Sequence, residues 1–595
     1  MIAQILGRYD SPPLHKRSLV FIFCARNDTA ALGKNTMSDN TATKSPNSAT
    51  ACIKLDRSQQ SALRSRLFRH LDGFPIAPTM VALKTRGVLD LFSKGGTVSL
   101  DDITSQCQGN EGYLQVALRL LCSQGWLVQN INPIEDTVRY TTTNRTAAAF
   151  EATKAYEGSI GYLEVAANMH HYLFGGATVN PQQELALMLE RHSEYWGMIS
   201  GDDLETNIVQ KQVLIHLEGM MLAPVLVALG MNGTLLHCSH DSPIITTDNL
   251  SSHPGRAQVV LDMFSQFNLG RMTPKGFLLN EKGLFFVQRA AAYGVTVSYL
   301  PMFQKIEELL FGNPRVIWDT HLNGYESHVD RKMNVWGSGG AHQNYFRKVD
   351  EVIEDIFNRP IDQQPSGIAD MGCGDGSLLA HIFDVIWHKT KRAGLLEQHP
   401  LFIIGSDYNQ AAIEVAKENL SKADIWANVI FGDIGDPTQF AAHLKDEYNL
   451  LAHDLLNVRS FLDHNRQYEP PTCVEAGRMS RSSGAFAYRG QRINNNVLEQ
   501  NLVDHFRKWA PLVGKFGLLV LELHTIPPKL AALNIGRTNV TAYDGTHGYS
   551  DQYIVEQEVF LSAAKEAGLT PDNRFQARYP NSDLATVTVN LLHAA

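Results

Sequence analysis

The hydrophobic and polar positions change rhythm three times along this chain. Up to about residue 55 they have none: a short apolar run inside "HKRSLVFIFCA", residues 15–25, gives way to "NDTAALGKNTMSDNTATKSPNSAT". A stretch so rich in Ser, Thr and Asn buries too little apolar surface to offset its ordering entropy, and it predicts a disordered leader over 1–55. The apolar run begins late and lacks a small-x-small cleavage site, so it is not read as a secretion signal, and Met37 is a candidate start. From 56 to 314 the apolar positions recur at helical spacing. "PTMVALKTRGVLDLF" closes at Gly87, "SLDDITSQC" opens on a Ser cap, and "GYLQVALRLLCSQGWLVQN" predicts a helix running into a strand. With "VRYTTT" to follow, this is a winged-helix pattern. From about Arg315 to the last residue the apolar runs become short and strand-like between helices, which predicts an α/β sheet over 315–595.

The helical stretch contains itself twice. "LDGFPIAPTMVALKTRGVLDL", starting at Leu71, matches without a gap "LEGMMLAPVLVALGMNGTLLH", starting at Leu217, and pairs Gly73 with Gly219 and Pro78 with Pro224. Further on, "YEGSIGYLEVAANMHHYLFGG" from Tyr156 aligns with "YGVTVSYLPMFQKIEELLFGN" from Tyr293. One supersecondary unit is used twice, over 56–180 and 181–314. A DNA-reading role does not fit, because the helix that should enter a groove, around "YLQVALRLL", is apolar. A lid over a substrate or a homodimer contact is the expected use.

Composition narrows the choice. The chain is 44% hydrophobic and 19% charged with net charge −9, so no broad nucleic-acid footprint is expected. Its seven cysteines are scattered and form no C-x-x-C, which fits a reducing, cytoplasmic setting rather than a disulfide framework. No apolar run is read as reaching a membrane-spanning length.

Chemistry enters at "SGIADMGCGDGSLLAHIFDVIW", which predicts a strand over Ile368–Met371, a glycine turn at 372–376 and a helix. Glycines there let backbone approach a ligand that a Cβ would block, and the helix start offers free N–H groups. The next strand ends at Asp407, whose carboxylate suits a ribose diol, and "NVIFGDI" ends at Asp433. This series resembles the class I S-adenosylmethionine (SAM)-dependent methyltransferases over roughly residues 330–595. The resemblance implies a Rossmann-like α/β domain in which Asp370, Gly372 and Gly374 line the methionine and ribose, Asp407 the ribose hydroxyls and Asp433 the adenine. "WGSGGAH", with Trp336 and Gly337, is expected to close over the SAM carboxylate.

Downstream, "DLLNVRSFLDHNRQYEPP" reads as a fourth strand carrying His464 at its end, "NNNVLEQNLVDHFRKW" as a helix, and "FGLLVLELHTIPP" as a fifth strand reaching His524. Strand ends and helix starts converge on one side of such a sheet, so His464, Glu499, Gln500 and His524 can share a cleft. Two chemistries remain open there: a positioned base for a hydroxyl, as in small-molecule O-methyltransferases, or a divalent metal. A narrower resemblance, carried by "NVWGSGGAHQNYF", "IADMGCGDGSLL", "VRSFLDHNR" and "LELH", is to the metal-dependent C-methyltransferase domain of the apratoxin synthase loading module and related polyketide starter-unit methyltransferases. It implies methylation of a malonyl α-carbon on an acyl carrier protein with a mononuclear iron or manganese ion, His464 and Gln500 as its ligands. His524 is added as a ligand candidate, and Arg459, Tyr468, His547 and Tyr553 as substrate contacts, His547 in the polar loop "AYDGTHGYSDQY". The stretch 315–595 reads as no carrier or acyltransferase domain, so the acceptor, a carrier-bound acyl group or a small molecule, is expected in trans.

Overall fold

The computed structural model describes residues 54–175, 182–197, 204–251, 253–318 and 327–594. The expected leader falls outside these residues save for its last two positions. The first helix, α1 (Arg57–Thr85), opens on a capping box: the Asp56 carboxylate accepts from Gln59 N at 2.8 Å while the Gln59 side chain accepts from Asp56 N. After it comes α2 (Glu111–Ser123), the winged-helix helix that the sequence predicts; Thr97–Ser99 before it and Leu127–Asn132 and Thr137–Thr142 after it form a three-stranded wing in which Thr137–Thr142 is central. The second copy repeats the plan with α3 (Leu204–Met231), α4 (Pro254–Gln266), a wing of Ile244–Ile245, Gly276–Leu279 and Gly270–Thr273, and α5 (Ala291–Ser298).

Two expectations change here. α3 is long and apolar enough to cross a membrane, which the sequence reading missed, but 94% of its most apolar window is buried inside the protein. It is a core helix, crossing α1 where Gly73 and Gly219 leave room for the partner backbone. In α2, every residue from Gly112 to Ser123 is buried, so this helix packs and offers no face to a groove.

What α2 packs on is the catalytic domain. The Arg119 guanidinium, 1% exposed, donates through Nε to Asp544 Oδ2 at 2.9 Å and through Nη2 to Thr525 Oγ1 and the Ile526 carbonyl at 2.7 and 2.8 Å, and through Nη1 to the Ser483 carbonyl. A charge so enclosed is tolerable only because each face finds an acceptor.

The catalytic domain opens with α6 (Arg331–Phe357) and is a mixed sheet of β1 (Gly367–Met371), β2 (Phe402–Asp407), β3 (Ala427–Phe431), β4 (Leu455–Ser460), β5 (Leu518–Leu523), β6 (Leu569–Pro571), β7 (Ala577–Tyr579) and β8 (Val587–Ala594). The spatial order is β6-β8-β5-β4-β1-β2-β3, with β7 also on β8. β3, β2, β1, β4 and β5 are parallel and β8 runs against β5, so five strand ends open on one side. Helices α7 (Ser377–Lys389), α8 (Asn495–Val513) and α9 (Val540–Gly548) complete the frame. This is a class I methyltransferase-like α/β domain behind a duplicated, mainly helical winged-helix region.

One buried acid sits at the seam between the two. Asp72 of α1 accepts from Gln124 Nε2 at 3.3 Å through Oδ2, its Oδ1 has no partner, and burial pushes its carboxyl up to about 7, helped by the nearby Asp544. From the ordinary value near ~4 up to 7 the folded chain therefore keeps a proton that the unfolded chain has lost, and stability falls as pH rises through that window. The Asp72→Asn variant has no proton to lose. Its melting temperature should gain on the wild type between pH 5 and 8, by an amount worth about 3 kcal/mol, read from paired thermal melts.

Candidate active site

The glycine turn after β1 is built by left-handed backbone. Gly372, Gly374 and Gly376 have φ of +73°, +56° and +80°, a region that side-chain-bearing residues rarely adopt. Gly372 and Cys373 donate to the Ser406 carbonyl at 2.7 and 3.0 Å, which folds the turn back onto β2. Gly374 donates to Asp407 Oδ2 at 3.0 Å, and nothing lies within 4 Å of where its Cβ would stand, so its backbone is open to a ligand. Asp407 Oδ1 accepts from Asn409 N at 2.8 Å, which orients the carboxylate and leaves lone pairs for a diol. Burial pushes Asp407 up, while its backbone donors and the Arg331 charge at the start of α6 hold it down. Asp370, 1% exposed, is pushed well above its usual range by burial and the charge of Asp407, and its Oδ1 is unpartnered. Asp433 lies two residues past β3, with Oδ1 accepting from Gly435 N at 2.7 Å. An open glycine backbone, an oriented carboxylate and an orphaned buried oxygen fit a nucleoside with a charged tail.

Trp336 and Gly337 are elsewhere. They lie within α6, not in a loop: a Cβ on Gly294 would stand 2.7 Å from the Gly337 Cα, and one on Gly230 would stand 2.8 Å from the Trp336 ring. These small residues let α6 approach α5 and the end of α3, and it is the first turn of α6, at Arg331, that reaches towards Asp407. The expected glycine loop is replaced by a helix crossing.

At the end of β4, His464 is gripped by an acid that the sequence reading passed over. Glu522, 1% exposed on β5, accepts from His464 Nδ1 at 2.5 Å through Oε1, and its Oε2 lies 3.3 Å from the His464 backbone N. The imidazole Nδ1 is therefore the protonated nitrogen and Nε2 carries the lone pair. The signal was there: Glu522 is the lone polar residue in "LLVLEL". A second imidazole stands beside it, His547, its ring centre 5.1 Å from that of His464. His547 Nδ1 is 2.9 Å from the Tyr543 carbonyl, and burial above all, with the neighbouring His464 imidazole second, draws its pKa down to about 3, so it is neutral near pH 7. It lies on the buried helix α9 rather than in the expected polar loop. Tyr299, from the second repeat, faces it with ring centres 6.3 Å apart.

The other candidates are committed to different work. Gln500 is not turned to a metal: its Oε1 accepts from Glu475 N and Arg478 Nε at 3.1 and 3.0 Å, and its Nε2 donates to Asp504 at 2.9 Å. His524 spends both ring nitrogens, on the Val555 carbonyl at 3.1 Å and Thr588 Oγ1 at 2.8 Å, and burial draws its pKa down to about 4. Glu499 lies against Arg478. The ligand set His464, Gln500, His524 therefore does not fit, and among the described residues no three His, Cys, Asp or Glu side chains gather around a common point. Arg459 is fully buried rather than at the acceptor; it donates to Asp463 at 2.5 Å, and His505 Nε2 lies 2.9 Å from the same carboxylate oxygen. Tyr468 joins Tyr488 and Tyr553 in an aromatic group, and Tyr553 N donates to the His464 carbonyl at 2.7 Å.

Comparison with known proteins bears on this geometry. Residues 326–590 match the AprA MT2-like domain family, residues 63–129 the AprA N-terminal domain and residues 218–313 the AprA winged helix domain. No curated protein matches. Among solved structures the chain is similar to an O-methyltransferase family protein from Burkholderia thailandensis, at 12% identity over 63% of this chain and 95% of that one, TM-score 0.33. It is also similar to the citrinin polyketide synthase CMeT domain, at 11% identity over 76% and 97%, TM-score 0.31, and to the CurJ carbon methyltransferase, at 13% over 70% and 100%, TM-score 0.30. Those likenesses are too slight to carry the assignment, which rests on the family matches. Asp407→Asn, which keeps the shape but removes the charge beside the ribose site, should weaken SAM binding about 10- to 100-fold by calorimetry, the loss of a charge-assisted hydrogen bond. The chain is a SAM-dependent methyltransferase whose catalytic part matches the AprA MT2-like domain and whose helical part matches the AprA N-terminal and winged helix domains.

Proposed function

We propose that this methyltransferase alkylates an acidic carbon, the α-carbon of a malonyl-type acyl group presented on an acyl carrier protein, and that His464 is the base that ionises it. The observation that carries this reading is the buried His464–Glu522 contact of 2.5 Å. Glu522 fixes the ring in one tautomer and steadies the positive charge it gains on taking a proton, so Nε2 is a base held in place before the acceptor arrives. A carbon between two carbonyl groups is the carbon acid such a base can reach. SAM supplies an electrophilic methyl group; the chain's own contribution is to hold donor and acceptor in line and to keep water out. Asp407, Gly374 and Asp370 would hold the nucleoside, and Tyr299 and His547 would shape the roof over the acceptor.

The same dyad also serves an O-methyltransferase, since a hydroxyl needs only a positioned base, and this second reading draws on the same contact. Of the three expected ligands of iron or manganese only His464 keeps a nitrogen to give, Gln500 and His524 being held by protein partners. Malonyl carrier protein and methyl-labelled SAM, followed by intact mass and carbon NMR, separate the readings: a new C–CH3 signal on the acyl group supports the first, an O–CH3 signal on a hydroxylated acceptor and none on malonyl overturns it. His464→Ala should lower kcat about 10²- to 10⁴-fold with SAM affinity retained, and Glu522→Gln at least about 10²-fold. Activity that survives exhaustive chelation assigns the proton to His464; activity lost on chelation and restored by iron or manganese assigns its Nε2 to a metal instead.

A further inference from the structure

The two helical repeats meet by reciprocal contacts. His70 of the first packs on Gly219 of the second, and its equivalent, His216, packs on Gly73, where an added Cβ would stand 2.8 Å from the His216 backbone. His70 Nδ1 lies 2.8 Å from the Tyr293 hydroxyl; His216 Nδ1 lies 2.6 Å from that of Tyr156, the residue equivalent to Tyr293. Both imidazoles stack on those tyrosines at ring distances of 6.0 and 6.2 Å.

The ends of the repeats obey the same rule with different chemistry. At the start of α2, the Asn110 amide donates to the Leu309 and Gly312 carbonyls at 2.7 and 3.2 Å. At the start of α4, Arg256 Nη1 donates to the Tyr172 and Gly175 carbonyls at 2.6 and 3.3 Å, which are the equivalent positions of the first repeat. Each repeat thus caps the last helix of the other. The paired contacts of His70 and His216 interchange on swapping the copies, and the caps reach equivalent carbonyls from non-equivalent donors; this is the pattern of a self-complementary, two-fold interface.

The symmetry stops at the catalytic domain. Aligning Gly112 with Gly255 and Gln115 with Gln258 sets Asp262 at the position of Arg119. Arg119 is sealed against the catalytic domain, whereas Asp262, Gln258, Ser265 and Gln266 are exposed on α4. The face that holds a catalytic domain in the first repeat is polar and solvated in the second.

We propose that the second repeat occupies, within the same chain, the surface on which a second copy of the first would dock, so that the protein works as a monomer with one catalytic domain per internal two-fold. Light scattering and sedimentation of the full chain test this. A mass of 66.1 kDa at every concentration, with a melting temperature that does not rise with concentration, is expected. A stable species of twice that mass, or a melting temperature that climbs with concentration, overturns it. Gly219→Leu, which drives a side chain into His70, should lower the melting temperature by the same amount at all concentrations; no change would also overturn it.

Discussion

The arrangement of this enzyme hangs on one guanidinium without access to water. Arg119 comes from the winged-helix part, yet its partners are Asp544 of α9, Thr525 and Ile526 just beyond β5, and Ser483 from the loop before α8. Those segments also carry the two residues beside His464, His547 on α9 and Glu522 on β5. Breaking such a pair strands the other charge in the interior, typically a cost of about 3–5 kcal/mol, comparable to a large part of a protein's net stability. The winged-helix region and the sheet are therefore coupled through the same few polar atoms. Thr525 Oγ1 closes the circuit by donating to Asp544 Oδ1 at 2.6 Å, so the carboxylate is held from both sides.

The same logic of full commitment sorts the polar residues of the cleft. A donor or acceptor that already has its partners cannot also hold a substrate or an ion, because leaving the first partner unsatisfied costs as much as the new contact returns. His524 and Gln500 belong to this class; Arg459 does so only through Nη1, its Nε and Nη2 having no hydrogen-bond partner. His464 differs in having one nitrogen tied and the other not, which is the state a proton acceptor requires. Asp370 differs also, a carboxyl with an oxygen no protein group answers.

Much of this was legible in the chain. The glycine turn, its flanking strand and the acids at 370, 407 and 433 are local patterns, set by backbone geometry within a few residues, and the duplicated helices announce themselves by repetition. The failures share a cause. Whether Gln500 faces a metal depends on Glu475 and Arg478, and whether His524 does depends on Val555 and Thr588, all remote in sequence. "AYDGTHGYSDQY" looks like a solvated loop because its polar residues are many; as far as Gly548 it is a buried helix, whose Asp544 is satisfied by Arg119 and Thr525 from other segments. The glycines after Trp336 resemble a ligand loop and instead make room for α5.

Fusing the two copies of the helical unit into one chain changes what inheritance can do with them. In a pair of identical subunits every replacement is made on both sides of the axis together, and each residue has to suit both surroundings. Here Arg66, which clasps Glu218, has as its counterpart Gln212, which reaches Gln124 and, through it, Asp72. One side has drifted toward an ionic clasp and the other toward an amide relay leading to the catalytic half. The asymmetry a single active site demands can thus be written separately into each arm, one codon at a time.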